Sequence, residues 1–232
     1  MYGMPDYCIV QFADGSPLHP GIVELNIEKS RIRYIKSFLE LEGNPATVGD
    51  ILMLTTGSFK ELNFSTSLTR RHIEDIYAMD RAMALLEESY TQVLTPQHIF
   101  RYNFAVLTGV RKEFAGRLRS TDVTIGGTSY RPPQFELLER LFENMFSAIS
   151  LVDGHINKAI SYLLAISKNQ VFIDGNKRTA RLVALHQLSY GNQKVLSSEI
   201  DTHNYILHLK EFYELGDAKP FADFFYDNLV SL

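Results

Sequence analysis

Gln170-Val171-Phe172-Ile173-Asp174-Gly175-Asn176-Lys177-Arg178-Thr179-Ala180-Arg181 places a carboxylate, a Gly-Asn pair and three cations just ahead of an apolar helical pattern. Gly175 and Asn176 suit a tight turn whose amide N–H groups converge on one spot. The pattern predicts a helix from Thr179 to Tyr190, and a helix start carries unsatisfied donors and partial positive charge. That combination is a phosphate cradle. Arg178 and Arg181 lie three residues apart on one helical face and can clamp phosphate oxygens. Asp174 is the kind of oxygen ligand that holds Mg²⁺ together with substrate phosphates. Gly-Asn-Lys-Arg before a helix is a weak signal by itself, because glycine and asparagine commonly start helices.

Working outward, Ile156 to Ser167 predicts the helix leading into this loop, and Gly191 closes the one leaving it. Upstream of these, Phe135, Leu138, Leu141, Phe142, Met145 and Ile149 trace an amphipathic helix behind Pro132-Pro133. The region 117–133 reads as a hairpin, with Asp122 to Ile125 alternating, a turn at Gly126-Gly127, and a return over Thr128 to Arg131. Further helices are expected from Glu28 to Gly43-Asn44-Pro45, over Ile51 to Leu54 behind a Thr47 cap, and over Ile73 to Leu86. Thr95-Pro96 should start another, running to Gly109. Downstream, Thr202 is expected to cap a helix over Ile206 to Tyr213, and Phe221 to Leu229 marks a last one. Residues 1–20 read as an irregular arm with a short strand over Tyr7 to Phe12, and 58–66 as a loop. Many helices and a single hairpin predict an all-α fold without a linker long enough to divide it.

Composition excludes several classes. The 232 residues carry 45% hydrophobic residues and a net charge of −4, so nothing asks for nucleic acid or an anionic membrane. One cysteine, Cys8, rules out an intramolecular disulfide framework and suits a reducing cytosol, so a cytoplasmic location is expected. No apolar run is long enough to predict a membrane span, and Met1 to Gly15 does not look like a signal peptide. The seven histidines show no metal-ligand spacing. His155 and His186 read as surface or satisfied core residues. Arg111, Lys112, Arg117 and Arg119 form a small basic run, more often a solvated face than a nucleic-acid patch.

The opening stretch resembles the signature of the Fic (Fic/Doc, Fido) family, His-Pro-Phe-x-(Asp/Glu)-Gly-Asn-(Gly/Lys)-Arg-x-x-Arg. Phe172, Asp174, Gly175, Asn176, Arg178 and Arg181 stand where that pattern wants them, and Lys177 is the variant of Doc-like members. The family's catalytic histidine is replaced by Gln170 and its proline by Val171. Because Asn169 departs from the pattern as well, natural divergence is favoured over a single engineered change. Gly116-x-x-Arg119 and Val123-x-Ile125-Gly126-Gly127-Thr128-x-Tyr130-x-Pro132-Pro133 look like the family's flap, whose exposed strand would pair with a target backbone. A plain surface hairpin is the alternative on the residues alone.

The resemblance implies the Fic/Fido helical fold with one β-hairpin flap. It divides the chain into an N-terminal part, 1–94, and a Fic domain, 95–232. It implies transfer of AMP from Mg·ATP to a protein hydroxyl (AMPylation), with ATP and Mg²⁺ as expected cofactors and an unknown protein target on the flap. Asp174 would hold Mg²⁺, the backbone of Gly175 to Lys177 with the Asn176 side chain would cradle phosphates, and Arg178 and Arg181 would bind their oxygens. Thr124, Ile125, Gly126, Gly127, Thr128 and Tyr130 belong to the flap. Glu42, at the end of the 28–44 helix, resembles the glutamate of an N-terminal inhibitory helix and would reach Arg181. The Ser or Thr expected four residues before it is Phe38, with Ser37 beside it, and Glu42 as a plain solvated helix end remains the other reading. Glu40 is a lesser candidate for the same role. Glutamine has no titratable nitrogen and cannot serve as the base. Loss of a positioned base typically costs about 10²–10⁴ in rate. The implied activity is therefore weak or absent. The alternatives are a catalytically dead homologue that regulates a partner, or a Doc-like phosphotransferase.

Overall fold

The computed structural model describes residues 27–57, 68–109, 111–191 and 194–231, so the expected strand at Tyr7 to Phe12, the N-terminal arm and the 58–66 loop lie outside the described residues. The elements are α1 (Ile27–Glu40), α2 (Val48–Thr56), α3 (Arg70–Ser89), α4 (Pro96–Leu107), α5 (Leu138–Ser150), α6 (His155–Asn169), α7 (Asn176–Tyr190), β1 (Lys194–Leu196), α8 (Thr202–Leu215), α9 (Lys219–Asp227) and β2 (Leu229–Ser231). This is the expected all-α architecture. At its centre α6 packs along α7, with α4 and α3 against α7, α1 and α2 against α3, and α5 against α6. Nearly every residue from Ala159 to Asn169 and from Thr179 to Ser189 is buried, so these two helices form the core itself.

Local chemistry sets the ends. Thr47 and Asp50 form a reciprocal capping box at the start of α2, and Gly57 closes that helix at φ 69. Thr69 caps α3 through the His72 N–H, so α3 begins at Arg70, ahead of the apolar pattern that predicted it. Asp201, not Thr202, caps α8, accepting from the N–H groups of His203 and Asn204. The last helix stops at Asp227, because Leu229–Ser231 pairs antiparallel with Lys194–Leu196 in a register of Lys194 to Ser231, Val195 to Val230 and Leu196 to Leu229. A hairpin was expected at 122–131, but that stretch forms only its Gly126-Gly127 turn, with no strand assigned to either limb.

A buried polar chain joins α3, α4 and α7. The His186 Nε2–H donates to the Gln92 carbonyl at 2.8 Å, and Nδ1 lies 2.6 Å from the Tyr102 hydroxyl, which in turn is 2.8 Å from Ser89 Oγ. Burial pushes the His186 pKa down to about 4. This satisfied core histidine is structural. The unfolded chain therefore binds a proton that the folded one refuses between the ordinary histidine value and about 4. Stability should be full above the ordinary value and fall as pH drops from about 6.5 towards 4. Denaturant unfolding at pH 7 and pH 5 should show this loss, and a His186→Gln variant should lose less between the two.

Candidate functional site

The loop between α6 and α7 is held by side chains of α4 and by Arg119. Gly175, at φ 74, sits so close to α4 that an added Cβ would lie 3.1 Å from Val106 Cγ1. The Asn103 Nδ2 of α4 donates to the Asp174 carbonyl at 3.0 Å and to Thr179 Oγ1 at 3.2 Å, while its Oδ1 accepts the Gly116 N–H at 3.0 Å. Phe172 is fully buried and meets Phe100 edge-on at 5.9 Å. Arg119, also buried, donates from Nε to the Gln170 carbonyl at 2.7 Å and through its two other nitrogens to the carbonyls of Thr121 and Pro133. Its own N–H bonds the Val171 carbonyl at 3.0 Å. Arg119 thus staples both ends of the 121–133 segment to the loop.

Helix α7 begins at Asn176, three residues before the expected Thr179, because the Thr179 N–H already bonds the Gly175 carbonyl at 2.8 Å. Asn176, Lys177 and Arg178 therefore supply the first-turn N–H groups, which have no intrahelical partner. The Asn176 side chain does not join them. It turns inward, with Oδ1 accepting the Phe172 N–H at 2.9 Å and Nδ2 donating to the Phe172 carbonyl at 2.8 Å and to Gln170 Oε1 at 3.0 Å. The side chain expected to cradle phosphate is thus engaged within the loop at both of its polar atoms. Gln170 caps α6 in the left-handed region at φ 46, and its Nε2 donates to the Ser167 carbonyl at 2.6 Å.

The cations are in place but occupied. Arg178 is buried, with one nitrogen 3.1 Å from Asp75 and another 3.7 Å from Asp174, whose Oδ1 also accepts the Gly175 N–H at 2.6 Å. The other Asp174 oxygen faces Arg111 at 3.6 Å. Arg181 is 1% exposed, lies 4.4 Å over the Phe38 ring and donates to the Ser37 carbonyl at 3.2 Å and hydroxyl at 3.0 Å. Burial lowers its pKa, opposed by the fields of Tyr205, Tyr34 and Glu40. Glu42 does not reach Arg181. It pairs with Lys177 at 3.4 Å, one turn nearer the helix start, while Glu40 pairs with Lys36 at 2.6 Å. The Nε atoms of Arg178 and Arg181 and the Tyr205 hydroxyl are buried without a hydrogen-bond partner. Donors orphaned in this way are what an anionic ligand would satisfy.

The flap residues lie beside this site. Thr124 and the Gly126-Gly127 turn are exposed, and Ile125 is packed against the core. The return limb is tied to the end of α8, where Glu214 accepts from the Thr128 hydroxyl and, at 2.6 Å, from the Ser129 N–H and hydroxyl. These bonds, the Ser129 hydroxyl first, hold the Glu214 carboxyl down at about 2. Tyr130 stacks on Tyr213 at 6.3 Å, with Lys168 Nζ 4.8 Å from its ring centroid. A turn whose limbs are claimed by Arg119 and Glu214 has no need of its own ladder.

Residues 93–188 match the profile of the Fic/DOC family. Over that stretch the chain is similar to the Fic/DOC family. Among solved structures, Fic-1 (residues 134–508) of C. elegans is 21% identical with a TM-score of 0.69, the likeness covering 90% of this chain and 64% of that one. A Fic domain-containing signaling protein of Bacteroides thetaiotaomicron is 20% identical with a TM-score of 0.68, covering 87% and 83%. BepC of Bartonella tribocorum, a VirB-translocated effector solved with bound AMPPNP, is 12% identical with a TM-score of 0.54, covering 75% and 95%. No curated protein matches the chain in sequence. At these identities the structural likenesses bear on the fold alone. The chain spans under two thirds of the C. elegans structure.

Sequence reasoning about the Fic loop missed Asn103, Asp75 and Glu214, whose partners lie 71, 103 and 86 residues away. Each reads as an ordinary polar helix residue. Arg119 could be found from its place in Gly116-x-x-Arg119, and Ser37 from its place beside the position where a hydroxyl was expected. Asn103→Ala strips the Asp174 carbonyl and the Gly116 N–H of their partner inside the Fic domain. It should lower unfolding free energy by about 2–4 kcal/mol in denaturant titrations.

Proposed function

We propose that this chain is a Fic-type nucleotide-binding protein whose family reaction, transfer of AMP from ATP to a protein hydroxyl, is weakened or abolished. The observation that carries this reading is the pair of buried guanidinium groups on α7, each with an unpartnered Nε, beside a base position filled by glutamine. The face that would bind phosphate is kept, and the group that would take a proton is gone. That BepC, of the same fold, carries AMPPNP favours a nucleotide over a simple anion.

In this reading the first-turn N–H groups of Asn176, Lys177 and Arg178 bind phosphate oxygens, and Arg178 and Arg181 complete the clamp. Asp174, partly exposed with one oxygen turned towards Arg111 and away from Gly175, would hold Mg²⁺. Bound Mg·ATP supplies an activated phosphoryl centre and a stable leaving group. The Asn176 side chain contributes by fixing the turn. Helix α1 acts as the inhibitory helix, because Ser37 places two oxygens on Arg181 where phosphate oxygens would otherwise bind, and Glu42 neutralises Lys177. Nucleotide must compete with both. The limb at Asp122 to Ile125, where Asp122 and Thr124 are exposed, is the surface on which a protein target would dock.

A catalytically dead homologue that regulates a partner is the second reading. It is favoured by the Gln170 amide, whose two ends are both engaged and so unavailable to orient a target hydroxyl. A Doc-like phosphotransferase rests on Lys177, which here is engaged by Glu42.

Calorimetric titration of ATP with Mg²⁺ should show binding in the parent and its loss in Arg181→Ala, with the fold checked by circular dichroism. Glu42→Ala should tighten binding by up to about fivefold, as expected for a partly exposed pair. No heat from the parent would sink the reading. A Gln170→His, Glu42→Gly double variant incubated with labelled ATP should label itself or a lysate protein, and silence there would remove the transferase ancestry.

A further inference from the structure

We propose that Gln170 is a positioning residue of the anion site, whose amide locks Asn176 and thereby the turn that aims the first N–H groups of α7. The proposal rests on the reading of 170–178 as an anion site. Among the described residues Gln170 is the one non-glycine with a positive φ, a conformation that side chains with a Cβ resist. It is held there at every polar atom. Its N–H donates to the Ile166 carbonyl at 3.1 Å, and its carbonyl accepts from Arg119 Nε at 2.7 Å. Its Nε2 donates to the Ser167 carbonyl at 2.6 Å, and its Oε1 accepts from Asn176 Nδ2 at 3.0 Å.

The polarity of this chain is what matters. Asn176 Nδ2 has two hydrogens, one given to the Phe172 carbonyl and the other to Gln170 Oε1, while Oδ1 takes the Phe172 N–H. Gln170 therefore reinforces the orientation that the Phe172 N–H and carbonyl give the Asn176 amide, because the flipped amide would set oxygen against oxygen twice, once at Phe172 and once at Gln170. Asn176 is the first residue of α7, so fixing its side chain against Phe172 fixes the backbone where the helix starts. Position 170 needs one donor and one acceptor at the end of a chain of this length. Glutamine offers both at any pH. Methionine offers neither. Glutamate offers two acceptors when ionised and a donor–acceptor pair when protonated.

The Phe172 amide reports the lock directly, since its hydrogen bonds to Asn176 Oδ1. Hydrogen exchange of that amide, measured by NMR on the ligand-free full chain and corrected for intrinsic rate, should speed up about tenfold in Gln170→Met and in Gln170→Glu at pH 7. In Gln170→Glu, and not in Gln170→Met, protection should return as pH falls below about 5 and the carboxyl takes up its proton. Arg119, on the carbonyl of residue 170, stays charged throughout, and the parent serves as reference at each pH. A residue that merely filled space would show no such titration. ATP affinity should fall at least about fivefold in both variants at pH 7 with the unfolding midpoint little changed. Unaltered Phe172 exchange in both variants overturns the proposal, as does unaltered ATP affinity. Because exchange is read without ligand, a parent that fails to bind ATP would remove the nucleotide reading while the lock at Asn176 still stood or fell on its own measurement.

Discussion

A guanidinium removed from water and facing no carboxylate is the constraint around which this molecule is arranged. Among the described residues Arg181 makes no ion pair; it is met by the two oxygens of Ser37, the ring of Phe38 and the buried Tyr205. Burying a charge costs a great deal unless hydrogen bonds or opposite charge compensate it, and here compensation is partial, with Nε left unmade. On the proposed reading such a group would be met by an anionic ligand, with α1 held against it in the ligand's absence. Helix α1 is itself secured elsewhere, where Arg31 donates to Asp80 at 2.9 Å and to Glu87 at 2.7 Å on α3. Helix α1 therefore does not depend on its contact with Arg181 for its place in the fold.

The neighbouring cations follow the same logic with different partners. Arg178 receives Asp75 and Asp174, and Lys177 receives Glu42. Moving along α7 from its start, the groups that cover the cations change from the partly exposed Glu42, to the mostly buried Asp75 with the partly exposed Asp174, to a buried hydroxyl with a backbone carbonyl. A phosphate chain entering from the solvent side would displace the weakest contact, Lys177 with Glu42, first, and would meet Arg181 only after Ser37 had moved.

What was legible in the sequence was whatever short-range chemistry determines. The helices came from periodicity, and the helix starts at Thr47 and Thr95 from residue type, because these effects act within a turn or two. The signature loop was legible because its glycine, amide and arginines are adjacent. The contacts that give the loop its meaning were not. Asn176 could be read as pointing at a ligand or back into the turn, and only the N–H and carbonyl of Phe172 decide between them. Glu42 was rightly placed near the signature, but its partner follows from where α1 ends relative to α7, which one-residue differences in helix phase control. The hairpin failed for a related reason. Its alternation and Gly-Gly turn are sound, yet Glu214 and Arg119 offer the limbs better partners than they offer each other.

These contacts bear on what a glutamine at position 170 offers that a histidine would not. A base must change its protonation state to act, and each change converts an acceptor into a donor. At position 170 the acceptor faces Asn176 Nδ2, so protonation there would break the bond that orients the first residue of α7. An imidazole can thus serve the proton or the turn at any moment, but not both. An amide cannot titrate and keeps its donor and acceptor apart at all pH values. On the proposed reading the absence of a base and the firm setting of the loop would be one event, a site without turnover keeping a binding face that stays in one shape.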